Sequence, residues 1–227
     1  SKCCLGSKVI FFFLSLHIWK RFTFKCSFSF FSDADYKNAG ASIIADTKSI
    51  ISSADIVVEA VFEEMNLKKD MFRRIDKIAK QNCILATNTS TLDIDQIAET
   101  TNRPEYVIGT HFFSPANVMK LLEIVRGKHT SKEVISSTMK LAKVINKVPV
   151  LAGNCDGFIG NRILSTYGEA AGYIMEDGAS PYEIDKAIVN FGYPMGPYQM
   201  FDLAGGDIGW ATRKRKSATR NPKLRYV

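Results

Sequence analysis

Short apolar runs rich in β-branched residues alternate with amphipathic stretches over residues 33–152. Asp55–Ala60 reads as a buried strand, and Met65–Lys80 places apolar side chains at helical spacing with its lysines and arginines predicted to face outward. Strands that alternate with helices pair in parallel, because each helix returns the chain to the same edge of the sheet. The pattern therefore predicts an α/β fold with a doubly wound sheet. Further strands are predicted at Ser42–Ala45, Ile84–Thr87, Val107–Phe112, Leu121–Val125 and Val148–Leu151, and helices at 94–98 and 131–145, begun by Asp93 and Ser131.

The strand signals end after Gly153, and helical patterns take over. Helices are predicted at Gly157–Met175, Pro181–Phe191 and Pro197–Gly205, with Ser180 placed to cap the second of them. This shift in composition indicates a domain boundary near residue 152. We expect a partial α/β domain over 33–152 and the start of an incomplete all-α domain over 153–227.

The first 32 residues do not fit this pattern. Val9–Trp19 is an apolar run and Phe22–Phe31 is rich in Phe, Ser and Lys, but neither shows strand or helix periodicity. A membrane-spanning helix needs about 20 apolar residues, and charges at Lys20 and Arg21 separate the two runs, so no stable membrane insertion is expected. A targeting role is the alternative, although no small-residue cleavage site follows. We interpret residues 1–32 as an anomalous segment foreign to the fold, from mistranslation or mis-splicing, and expect the first βα unit to be missing.

Composition limits the classes of function. A chain of 227 residues with 46% hydrophobic and 23% charged residues is typical of a soluble globular protein rather than a disordered one. The net charge of +7 accompanies no recognisable nucleic-acid-binding module, so no nucleic-acid partner is expected. The five cysteines show no metal-ligand spacing, and we expect Cys83 and Cys155 to be small core residues of a protein in a reducing compartment.

His111 and Glu123 lie at the ends of two short apolar runs within Gly109–Val125. A neutral imidazole can take a proton from a hydroxyl group, and a nearby carboxylate orients the ring and stabilises its protonated form. Such a pair suits the oxidation of an alcohol to a ketone. The alternative is structural, with His111 ending a buried strand and Glu123 on a solvated edge.

Polar residues also follow two of the predicted strands. Glu63 comes just after the strand that ends at Ala60, and Asn88 and Ser90 lie in a polar turn after Thr87. Ligands of doubly wound sheets bind at this carboxyl edge. The structural alternatives are a solvated helix start for Glu63 and helix capping for the polar turn.

Six motifs, in one order, resemble the 3-hydroxyacyl-CoA dehydrogenase family, most closely the dehydrogenase portion of peroxisomal multifunctional β-oxidation enzymes. The resemblance covers roughly residues 43–227, and Ser114 after HFF, where many single-function relatives carry Asn, fits that subgroup. The motifs are ADIVVEAVFEEMNLKK (Ala54–Lys69), ATNTST (Ala86–Thr91), RPEYVIGTHFFSP (Arg103–Pro115), MKLLEIVRG (Met119–Gly127), GNCDGFIGNR (Gly153–Arg162) and PMGPYQMFDLAGGDIGW (Pro194–Trp210).

The resemblance implies a Rossmann-like domain that binds NAD, followed by a helical substrate and dimerisation domain. It also implies oxidation of L-3-hydroxyacyl-CoA to 3-ketoacyl-CoA in fatty acid β-oxidation, an acyl-CoA substrate, a homodimer if the helical domain is complete, and a peroxisomal location, with mitochondria or cytoplasm as alternatives. The implied site roles are a general base at His111, its orienting partner at Glu123, contacts to the reacting oxygen from Ser90 and Asn161, and cofactor contacts from Ala60, Glu63, Lys68 and Asn88.

One element of the family pattern is absent. Dinucleotide folds present a GxGxxG turn after their first strand, and nothing before Ala54 supplies it. We therefore expect the chain to bind NADH weakly or not at all, and the alternative function is a catalytically inactive fragment or mispredicted gene product. A hydroxyisobutyrate-type dehydrogenase is a second alternative, but that type uses a catalytic Lys and lacks the pairing of HFFSP with a later Glu.

Overall fold

The computed structural model describes strands at residues 9–13 and 28–32, the continuous stretch 48–204, and residues 210, 213 and 214. The chain divides into two compact units, Ser1–Phe158 and Ile159–Val227. The strand candidate Ser42–Ala45 and the cysteines Cys3, Cys4 and Cys26 lie outside the described residues.

The first unit contains a seven-stranded sheet of order β2-β1-β3-β4-β5-β6-β7. Every neighbouring pair is parallel except β5 and β6, which are antiparallel. Chain order and sheet order differ as they do in doubly wound folds, which confirms the predicted class. The strands are β1 (Val9–Phe13), β2 (Phe28–Ser32), β3 (Ile56–Ala60), β4 (Ile84–Thr87), β5 (Val107–Phe112), β6 (Leu121–Arg126) and β7 (Val148–Gly153), and the helices are α1 (Met65–Ile78), α2 (Ile94–Ala98), the 3₁₀ helix Pro104–Tyr106 and α3 (Lys132–Val144).

The expectation that the first strand is missing was wrong. Val9–Phe13 forms β1, which lies between β2 and β3 and pairs with both in parallel. The error has a physical origin: a strand inside a parallel sheet reads as a continuous apolar run rather than an alternating one. The lack of period-two alternation in this Phe-rich segment was therefore no argument against a strand.

Strand β3 shows why alternation fails in this sheet. Its successive residues Val57 and Val58 are both buried, and they belong to hydrophobic clusters on opposite faces. Val57 packs in the cluster that contains Phe72 of α1, and Val58 in the cluster that contains Val134 of α3. Helices thus cover both faces, so the strand has no solvated side that would select polar residues.

Helix α1 begins at Met65 because Glu64 caps it, accepting hydrogen bonds from the backbone N–H groups of Asn66 and Leu67. The predicted inward residues Met71 and Ile75 are buried. Lys68 departs from the prediction that the basic residues of this helix face outward, because its side chain is completely buried. The ammonium group of Lys68 is buried near the carboxyl end of β3, where it forms an ion pair with the Glu59 carboxylate.

The second unit contains helices α4 (Gly160–Glu176), α5 (Pro181–Phe191) and α6 (Pro197–Ala204). Helix α4 begins later than predicted because Gly157 and Phe158 have positive φ angles of 72° and 48°, which a right-handed helix cannot include. Ser180 caps α5 as predicted and forms a capping box with Glu183. Among the residues that the structure describes, no helix has both the length and the apolar character needed to cross a membrane.

Gly109 in β5 lies where a side chain does not fit. A Cβ atom there would collide with the Ile94 side chain and lie 2.8 Å from Cβ of Val125. We expect Gly109→Ala to lower the free energy of unfolding by about 1–3 kcal/mol, the usual cost of overpacking a core. Urea unfolding measures this, with Gly153→Ala as the control because its new Cβ would meet nothing within 4 Å. Equal midpoints for the two variants would contradict the packing account.

Candidate active site

His111 and Glu123 face each other across the antiparallel pair of β5 and β6, as direct partners in the register. Opposed side chains of an antiparallel pair project from the same face with their Cβ atoms about 5 Å apart. Here the His111 Nδ1 atom lies 2.6 Å from Glu123 Oε2. His111 is 4% exposed and Glu123 is 1% exposed, so the alternative that placed Glu123 on a solvated edge is wrong.

Aromatic rings pack against the imidazole. The ring centroid of Phe113 lies 4.5 Å from that of His111, and the centroid of Phe158 lies 5.7 Å away. With Nδ1 hydrogen-bonded to the carboxylate, Nε2 is the proton-accepting nitrogen of the neutral ring. The arrangement is therefore a buried, oriented base whose charged form has a counter-ion.

Asn88 joins the ends of three adjacent strands. Its backbone N–H donates to the Glu59 carbonyl at 2.7 Å, and its side-chain oxygen accepts from the Phe112 backbone N–H at 2.9 Å. Phe112 directly follows His111, and so the structure brings the polar turn after β4 next to the strand end that carries the histidine.

Glu63 reaches the same turn from the segment after β3. Its Oε1 atom accepts from the Thr89 hydroxyl at 2.7 Å, from the Ser90 backbone N–H at 2.8 Å and from the Thr91 backbone N–H at 2.9 Å. The sequence predicted Glu63 as a cofactor contact and left a solvated helix start as the alternative. In the structure the exposed neighbour Glu64 caps the helix, and Glu63 holds the turn that contains Ser90.

The ammonium group of Lys68 makes hydrogen bonds and ion pairs with other groups of the protein. Its Nζ atom donates to Glu59 Oε1 at 2.7 Å and to the Val61 carbonyl at 3.2 Å, and lies 3.7 Å from Glu63 Oε2. Glu59, completely buried, also accepts from the Thr87 hydroxyl at 2.7 Å. Sequence reasoning missed Glu59 and Thr87, yet a carboxylate inside the otherwise apolar strand IVVEA was a usable signal, because buried charges require partners.

Lys147 is a second buried lysine that sequence reasoning missed. It donates to the carbonyls of Ala116 and Met119, the second at 2.6 Å, and burial lowers the pKa of its ammonium group. These carbonyls belong to the connection between β5 and β6, which also contains Ser114. Lys147 therefore fixes the segment that links the two residues of the His111–Glu123 dyad.

Asn161, the remaining predicted site residue, lies near the start of α4 in the second compact unit. Its predicted contact with the reacting oxygen stays a prediction.

The two described cysteines differ in burial. Cys83 is fully buried, as expected, and burial raises the pKa of its thiol to about 11, which keeps it protonated and unreactive. The expectation for Cys155 was wrong, because it is exposed. No group of three His, Cys, Asp or Glu residues in the described part of the chain could hold a metal ion.

The topology marks the carboxyl ends of the central strands as a place where a ligand can bind. The chain runs from β1 outward to β2 and then returns to the other side of β1 at β3, and ligands bind at the carboxyl ends of strands at such a switch point. Ala60 ends β3 there, in register with Phe13. The polar residues after β4 lie at the same ends of the strands, whereas residues 7–39 contain no glycine for a pyrophosphate-binding turn.

Comparison with known proteins agrees with this geometry. Residues 25–155 match the NAD binding domain of 3-hydroxyacyl-CoA dehydrogenase, and residues 157–226 match its C-terminal domain. The peroxisomal bifunctional enzyme of Cavia porcellus is 53% identical over 169 residues, which are 74% of this chain and 23% of that protein. The chain thus spans about a quarter of the length of the curated relatives it matches.

Two solved structures share the fold. The 3-hydroxybutyryl-CoA dehydrogenase of Escherichia coli has a TM-score of 0.68 and 33% identity, and the match covers 82% of this chain and 43% of that one. The (S)-3-hydroxybutyryl-CoA dehydrogenase of Ralstonia eutropha has a TM-score of 0.75 and 26% identity, over 96% of this chain and 89% of that one. The chain therefore belongs to the 3-hydroxyacyl-CoA dehydrogenase family, whose members use NAD.

Proposed function

We propose that this chain oxidises an L-3-hydroxyacyl-CoA to the 3-ketoacyl-CoA with NAD⁺, a step of fatty acid β-oxidation. The observation that carries the proposal is the buried contact of 2.6 Å between His111 Nδ1 and Glu123 Oε2. It stands at the sheet edge where doubly wound folds bind their ligands.

Each site residue has a role in this proposal. His111 takes the proton of the substrate hydroxyl on Nε2 as the ketone forms, and Glu123 holds the ring and stabilises the imidazolium. Ser90 and Asn161 hold the reacting oxygen, whose charge changes during the reaction. NAD⁺, when bound, supplies the hydride acceptor, with Ala60 and Asn88 beside its nicotinamide end. The names of the relatives favour a peroxisomal location. The helical unit, which matches the C-terminal domain of the family, is the proposed surface for a homodimer.

The assay that tests this function is the reverse reaction. The purified chain should consume NADH in the presence of acetoacetyl-CoA, and should turn over far less when free acetoacetate replaces the thioester, because the family is named for substrates that are coenzyme A thioesters. NADH should be varied up to saturation so that a weak cofactor site does not hide turnover. A folded chain that consumes no NADH under these conditions would establish the inactive-fragment alternative, and equal rates with free acetoacetate would contradict the substrate class.

We expect NADH to bind weakly. Pyrophosphate binding relies on backbone N–H groups that a glycine turn presents at a helix start, and residues 7–39 lack glycine. The dissociation constant should therefore be about 1 mM or weaker, at or beyond the upper end of common Michaelis constants. Fluorescence titration measures it, and reduced nicotinamide mononucleotide, which lacks the adenylate half of NADH, is the control. A dissociation constant of about 1 μM for NADH, but not for the mononucleotide, would show that the N-terminal segment builds a phosphate site without glycine.

A further inference from the structure

We propose that Glu63 is a positioning residue, which fixes the turn Thr89–Thr91 and thereby sets Ser90 at the carboxyl edge of the sheet. This inference rests on the proposed function, in which Ser90 holds the reacting oxygen. It assigns Glu63 a role within the protein itself, separate from any contact with NAD.

Several hydrogen-bond donors converge on one carboxylate oxygen of Glu63. Glu63 Oε1 accepts from Thr89, Ser90 and Thr91 at 2.7 to 2.9 Å, and the Thr91 hydroxyl is also within 3.3 Å. Hydrogen bonds to a charged acceptor are stronger than those between neutral groups. One carboxylate thus binds three consecutive residues that lie 26 to 28 positions away in the chain.

The Glu63 carboxylate is itself held in place by a buried cation. Glu63 Oε2 lies 3.7 Å from Lys68 Nζ, and that ammonium group is bound to Glu59 at 2.7 Å. Glu59 is anchored in turn by the Thr87 hydroxyl at 2.7 Å and by the Val61 backbone N–H at 2.6 Å. The charges therefore alternate in sign from the buried sheet edge outward to Glu63. This arrangement directs one Glu63 oxygen toward the cation and leaves the other for the turn.

Glu63 and Glu64 have different contacts, and only Glu64 caps helix α1. Glu64, the adjacent residue, is exposed and accepts from the backbone N–H groups of Asn66 and Leu67 at 2.9 and 2.6 Å. The side chain that caps the start of helix α1 is thus that of Glu64, not that of Glu63. The two neighbouring glutamates provide a matched pair, in which one holds the turn and the other holds the helix.

Amide hydrogen exchange in the cofactor-free protein tests the proposal. Glu63→Ala should speed exchange of the Ser90 and Thr91 amides by about tenfold or more, as expected when a charged acceptor is lost. Glu63→Gln keeps an acceptor oxygen and should show a smaller change. Glu64→Ala should leave both amides at the wild-type rate while loosening the start of α1. Unchanged exchange at Ser90 and Thr91 in Glu63→Ala would overturn the proposal.

Kinetics of the same variants add a second readout. If Glu63 positions Ser90, Glu63→Ala lowers kcat for acetoacetyl-CoA reduction at saturating NADH, and Glu63→Gln recovers part of it. A rise in KM for NADH with unchanged kcat and unchanged exchange would instead assign Glu63 to the cofactor alone and overturn the positioning role. Because exchange needs no turnover, an inactive wild type would refute the proposed function and leave the exchange result to decide the role of Glu63.

Discussion

His111→Gln is expected to lower kcat for acetoacetyl-CoA reduction by about 10²–10⁴-fold, the usual contribution of a general acid or base. The substitution keeps a polar side chain of similar volume in the buried site but removes the group that exchanges the proton. Steady-state rates at saturating NADH measure the effect. His129→Gln is the matched control, because His129 is exposed and lies outside the dyad.

A lower kcat in His111→Gln has to be distinguished from a less stable fold. The urea midpoint of His111→Gln should stay close to that of wild type, which would show that the lower kcat does not come from unfolding. A kcat above about a tenth of the wild-type value would exclude His111 as the general acid or base, because the loss would be smaller than the roughly 10²-fold that such a group contributes at least.

Glu123→Gln should lower kcat by about 10²-fold, less than removal of the base itself. The carboxylate accepts a hydrogen bond from Nδ1–H, with an N···O distance of 2.6 Å, which fixes the tautomer with a basic Nε2 and provides a counter-ion for the imidazolium. An amide carries no charge, and its NH₂ group can donate to Nδ1, which would select the wrong tautomer. Initial rates across a range of pH values measure the loss.

Glu105→Gln, at an exposed glutamate, is the control for this substitution. A Glu123→Gln variant with wild-type kcat would mean that the carboxylate is only a structural partner of the ring.

The sequence predicted the elements around the dyad well for an identifiable reason. Strands β4 and β5 were placed at their observed bounds, because each is a short, largely apolar run. The antiparallel pairing of β5 with β6, which joins His111 to Glu123, was not predicted. Capping side chains at Asp93, Ser131 and Ser180 were also found, because a cap depends on local sequence alone.

What the sequence did not predict depends on contacts between distant residues. Strand β1 was missed because a strand that lies inside a parallel sheet reads as a continuous apolar run without alternation. Lys68 was assigned to the surface by helical spacing, but its partner Glu59 belongs to a strand and draws the charge inward. Helix capping was the structural alternative for the turn that contains Ser90, and Glu63 was not predicted to bind that turn, since no local pattern reveals an acceptor 26 to 28 residues away.

A double-mutant cycle on kcat tests most directly whether His111 and Glu123 act as one unit. Wild type, His111→Gln, Glu123→Gln and the double variant would be compared at saturating NADH and acetoacetyl-CoA. Residues that act together show strongly non-additive effects. The account predicts that the double variant is within about threefold of His111→Gln alone, because Glu123 has no catalytic role without the ring. A double variant whose loss equals the product of the two single losses would contradict the dyad.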